Sequence, residues 1–176
     1  LPTLRTFAGI ALGAMTLSGC VVITAVRQPC GIPGEPEIEL GLGASAYTPL
    51  PEDGRVPWEI GPQGGMHVTG ALQASGLDCG TPDDHGDPDD PVVTWVIERD
   101  GEVVGGFEGL RRWLEPGPDG GHRILNEHLL LYVAEAEEVE GAPLWMRASV
   151  EDRCGRVAEA EAEVEIVAPT VVPPPP

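Results

Sequence analysis

The chain has 176 residues, with 29 acidic side chains against ten basic ones and a formal charge of −19. That balance leaves no basic face for phosphate, which argues against nucleic acid and against direct adhesion to anionic headgroups. Acidity of this kind serves solubility first.

The first charged side chain is Arg5, and the next is Arg27. Between them an apolar stretch runs from Phe7 to Leu17 and gives way to small residues. This is the layout of an export signal: a positive start, a short apolar core and a small-residue processing site. A longer window, Phe7 to Val26, carries no charge and runs 20 residues, just long enough to span a bilayer. Six of its members are Gly, Ser or Thr, however, so it is only weakly hydrophobic. Either way Arg5 stays on the cytoplasmic side and the remainder is exported.

Leu17-Ser18-Gly19-Cys20 resembles the lipobox of bacterial lipoproteins residue for residue. The resemblance implies diacylation of the Cys20 thiol, cleavage before it and acylation of the new amino end. Cys20 would then open the mature protein, with the lipid bilayer as its partner. It also implies a cell-envelope location. Val21 stands where an Asp would hold such a protein at the inner membrane, so the outer membrane is favoured.

Residues 20 to 36 read as a lipidated N-terminus and tether, with Pro and Gly punctuating "QPCGIPGEPE". From Glu37 the period is two. Ile38, Leu40 and Leu42 alternate with polar or small residues, and so do Val56, Trp58 and Ile60, where Pro57 confines the strand to an edge. Met66 to Ala74 and Val93 to Ile97 repeat the pattern, and "RDGE" supplies an Asp-Gly hairpin turn at 99 to 102. Val103 and Val104 begin a return strand that Gly105 and Gly106 loosen. Leu129 to Val133 reads as a strand, and 134 to 139 as a short helical turn closed by Gly141. Leu144 to Val150 alternates cleanly. In "VAEAEAEVEIV" a period of two puts every glutamate on one face, whereas a 3.6 period would scatter them. Strand is therefore expected despite the helix propensity of Ala and Glu.

About eight strands separated by turns predict an all-β chain: a single antiparallel β-sandwich over 37 to 168, after a signal peptide at 1 to 19 and before a proline-rich tail at 169 to 176. Roughly 130 residues suit one domain with a real core. Trp95, at the centre of a strand, resembles the buried tryptophan of immunoglobulin-like domains. The stretch 37 to 167 is also similar to the Ig-like domains of uncharacterised bacterial lipoproteins, including the "GPQGGMHV" segment at 61 to 68. The resemblance implies a sandwich and an exposed location and carries no known activity with it. The favoured reading is a binding or structural role rather than an enzyme, with an envelope protein as partner. The resemblance also implies that the loops holding Cys79 and Cys154 emerge at one end, which predicts a Cys79–Cys154 bridge. A Cys30–Cys79 pair is the competing arrangement. Loops at that end, with the acidic stretch 83 to 90, would form the contact surface.

The acidic stretch "DDHGDPDD" offers Asp83, Asp84, Asp87 and Asp89 as oxygen ligands for calcium or another metal, with His85 beside them. That is the basis of an alternative, a metal-dependent enzyme or calcium-binding module. The pattern lacks the EF-hand spacing, and Asp, Gly and Pro are also what any solvated loop uses, so no cofactor is expected. His67, His122 and His128 read as surface residues. Arg111, Arg112 and Trp113 form the one basic-aromatic cluster; Trp113 is expected to cover a sandwich edge while the arginines offset nearby carboxylates.

Overall fold

The computed structural model describes residues 31–80, 82 and 86–169. The expected signal peptide, Cys20, Cys30, Asp83, Asp84, His85 and most of the proline tail lie outside the described residues. Among the described residues there are eleven strands: β1 (Glu37–Leu42), β2 (Thr48–Pro49), β3 (Arg55–Pro57), β4 (Glu59–Ile60), β5 (Met66–Ser75), β6 (Val92–Arg99), β7 (Glu102–Arg111), β8 (Glu115–Pro116), β9 (His122–Leu130), β10 (Pro143–Glu151) and β11 (Val157–Val167). A single 3₁₀ turn, Ala136–Glu138, falls inside the expected helical stretch. Glu138 closes that turn by accepting the N–H groups of Ala134 and Glu135.

The strands form two sheets packed face to face. One runs β2-β1-β5-β9-β8, with β4 also on β5; the other runs β3-β11-β10-β6-β7. All pairs are antiparallel except β3 on β11. The runs β1-β5-β9-β8 and β11-β10-β6-β7 follow the immunoglobulin order, ABED against GFCC′.

Side-chain alternation explains why these segments are strands. On β10, Leu144, Met146, Ala148 and Val150 are buried, while Trp145, Arg147 and Glu151 are exposed. On β11, Ala158, Val164 and Ile166 point inward and Glu159, Glu161 and Glu163 outward, so the Ala-Glu repeat is a strand. Asp100 and Gly101 both have positive φ, 52° and 82°, as a two-residue hairpin turn with the right twist requires. Pro57 sits on the edge strand β3.

Two strands depart from expectation. β7 does not falter at its glycines but continues to Arg111. Gly106, at φ 102°, passes so close to β6 that a Cβ would collide with the Trp95 carbonyl oxygen. The strand expected at 129 to 133 instead begins at His122 and ends at Leu130. Its pairing with β5 slips between Gly70 and Leu72, and Asn126 takes φ 57°. Ile124 and Leu129 can then both reach the core from odd spacing, which hides the period.

Trp95 lies at the centre of the core, fully buried. Its ring occupies the space that a side chain at Gly70 would fill: a Cβ there would meet Trp95 Cη2 at 2.8 Å and Leu129 Cδ1 at 3.3 Å. Both neighbours are walled in, so neither can yield. Gly70→Ala is expected to destabilise the sandwich by about 1–3 kcal/mol through overpacking, read by urea denaturation. A change below a few tenths would show that the ring has room to move.

Candidate functional site

The loop after β5 and the turn between β10 and β11 do emerge at the same end, and side chains tie them together. Asp152 organises this end. It is 2% exposed, and its carboxylate accepts the N–H groups of Asp78 at 3.0 Å and of Cys154 and Arg156 at 2.9 Å. Such a short, local acceptor is the usual use of Asp at the head of a turn. Arg153 then spans the loops, with Nε 2.8 Å from Asp78 and Nη1 3.2 Å from Asp89. Arg156 reaches back to the lead segment, donating to the carbonyls of Ile32 and Gly34.

The predicted Cys79–Cys154 bridge is not formed. Cys79 carries a free thiol. Cys154 is disulfide-bonded, and not to Cys79, the other cysteine among the described residues. Loop proximity pointed to the right end, but main-chain wiring through Asp152 fixes the two backbones instead. The Cys79 thiol is pushed up to about 11, by burial first and then by the carboxylates of Asp78 and Asp152. Thiolate, the reactive form, is therefore scarce at neutral pH.

The acidic stretch is wired internally. Asp87 accepts the Asp89 N–H at 2.8 Å, Asp89 pairs with Arg153, and Asp90 is buried with its carboxylate taking the Gly86 N–H at 3.2 Å. Asp87 and Asp89 are thus engaged as loop and clamp residues. Among the described residues no group of three or more His, Cys, Asp or Glu side chains could hold a metal ion.

Beside this loop opens a groove of about 710 Å³ lined by Leu110, Arg111, Arg112, Trp113, Leu125 and Glu127. Arg112 makes a two-pronged contact with Glu127, at 2.9 and 3.0 Å, and lies 5.4 Å from the Phe107 ring centre. The Glu127 hydrogen bond raises the Arg112 pKa further. Arg112 therefore offsets a carboxylate, as expected. Among the described residues Arg111 instead donates to the carbonyls of Pro88 and Asp90, each at 2.8 Å. Trp113 is half-buried at the groove wall.

A smaller pocket of about 260 Å³ sits on the outer face of the first sheet, against Tyr47, Gln73, Asp119 and Arg123. Gln73 donates to Asp119, and Arg123 Nε stands 3.9 Å from Glu115. The Tyr47 hydroxyl is held protonated far above its ordinary value, by burial and then by Glu39. Toward the other end of the β5–β9 pair, the His67 and His128 rings lie 4.3 Å apart, tilted by 39°. His67 is buried, at 5% exposure, which corrects the expectation of a surface residue. Its ring is covered by the Gly61–Gly65 turn, where a Cβ on Gly61 would lie 3.4 Å from Cε1.

Sequence pattern did not single out Asp152, Arg153, Arg156, Tyr47 or Arg123. Asp152 alone had a local signal: "DRCG" heads a tight turn in which Asp is the natural first residue. No protein-family model, no curated protein and no solved structure matches the chain.

Asp152→Ala should cost about 1–3 kcal/mol, because three part-buried N–H groups lose their acceptor. Arg153→Ala should cost clearly less, since exposed ion pairs contribute little. Equal losses in thermal unfolding would contradict this ranking. For Cys79, the folded thiol keeps its proton between its ordinary value of 9.0 and about 11, while the unfolded one releases it. Stability should fall as pH rises through that window. Replacing Cys79 with Ser should flatten that part of the pH–stability curve, and an unchanged slope would remove the thiol as its source.

Proposed function

We propose that this chain is an acylated, exported lipoprotein, anchored in the cell envelope with the outer membrane favoured, and that its immunoglobulin-like sandwich has a binding or structural role there. The observation that carries the proposal is the four-residue run Leu17-Ser18-Gly19-Cys20 closing a short apolar stretch after a lone arginine. Stable anchoring needs more than one acyl chain, which a modified Cys20 supplies. An all-β domain with an acidic surface suits an exposed aqueous setting.

For a binding role, the groove at Trp113 offers a concave surface with an aromatic wall and a fixed Arg112–Glu127 pair. An envelope protein is the partner class. The alternative, a metal-dependent enzyme or calcium module at 83 to 90, draws no support from Asp87 and Asp89, whose carboxylates are already engaged.

Labelling an expressing bacterium with a radioactive fatty acid tests the anchor. The wild-type chain should incorporate label and fractionate with membranes. Cys20→Ser should lose both properties. An intact mass that retains residues 1 to 19 without lipid would overturn the proposal.

A further inference from the structure

We infer that Cys154 is bridged to Cys30, so that a disulfide staples the lead segment to the base of the sandwich. Cys154 is disulfide-bonded, and Cys79 is free. The sequence offers two other cysteines, Cys20 and Cys30. The Arg156 guanidinium selects between them. Nη1 donates to the Ile32 carbonyl at 3.1 Å and Nη2 to the Gly34 carbonyl at 2.5 Å, which seats residues 32 to 34 against the β10–β11 turn. Cys30 precedes Ile32 by two residues, and Cys154 precedes Arg156 by two; two residues span at most about 7 Å. A bridge needs Cα atoms within about 7 Å of each other, a separation this layout permits with the clamp in place. The choice against Cys20 also rests on the lipoprotein reading, under which the Cys20 sulfur is a thioether and has no thiol to exchange.

The chemistry is a two-electron oxidation. The Cys30 and Cys154 thiols lose their protons and two electrons as their S–S bond forms. A protein disulfide of the exported compartment accepts them, and its own S–S bond becomes two thiols. Exported compartments sustain such bonds. The staple shortens the leash. From Cys20 to Cys30 an extended chain reaches at most about 35 Å, against about 42 Å to Ile32, where the Arg156 clamp alone would hold it.

Peptide mapping of the full chain tests this. The protein is exported, purified from membranes without reductant, alkylated in denaturant and cut with trypsin. Cleavage after Arg27, Arg55, Arg99 and Arg153 places the four cysteines on four different peptides. The expected result is the 28–55 peptide joined to 154–156, with Cys79 alkylated. An alkylated Cys154, or one joined to Cys20 or Cys79, overturns the inference. In C30S the number of alkylated thiols per chain should double from one to two, and an unchanged number also overturns it. The Cys20 peptide reads the anchor separately: an unacylated Cys20 with residues 1 to 19 attached defeats the lipoprotein reading while a Cys30–Cys154 peptide still stands.

Discussion

The contact between the Trp95 ring and the bare backbone of Gly70 is the constraint around which the sandwich is assembled. Trp95 is on β6 and Gly70 on β5, so the pair joins the two sheets at their centre. A large ring needs a missing side chain opposite it, and β5 supplies one in a strand otherwise filled with Val68, Leu72 and Ala74. With the ring seated, the neighbours follow: Ala148 lies directly across on β10, small enough to leave the indole its room. Close packing then sets the spacing of the sheets.

The two ends of the sandwich are held by different means. At one, buried Asp152 gathers three backbone N–H groups, and three arginines fasten loops to one another. At the other, Trp58 Nε1 donates to Glu140 at 2.6 Å and Arg99 holds the Glu138 carbonyl, tying segment 138–140 to the link between β3 and β4 and to the β6–β7 hairpin. A chain without lysine uses the guanidinium fork for this purpose, since one arginine can satisfy two acceptors at once.

Much of the fold was legible because strands with one wet face must alternate. β1, β5, β6, β10 and β11 each show the period in their side chains, and the Asp100-Gly101 turn declares its hairpin. β9 was not legible over its length because a bulge at Asn126 shifts the inward face by one residue. The two-residue strands β2, β4 and β8 are too short to carry a period at all. The grouping of loops at one end was what the immunoglobulin-like resemblance implied. The cysteine pairing did not follow from it, because proximity of loops does not say which thiol is aimed at which. His67 was misjudged for a related reason: a residue on the outward face is buried when a turn folds back over it.

Arg111 and Arg156 grip main-chain carbonyls, whereas Arg112 and Arg153 grip carboxylates. Exposed ion pairs are screened by dissolved salt, whereas a guanidinium held by peptide oxygens has no counter-charge to screen. Rising ionic strength therefore loosens this end unevenly. The ties from half-exposed Arg153 to Asp78 and Asp89 slacken, while segments 32–34 and 88–90 stay moored to the sandwich through main-chain oxygens.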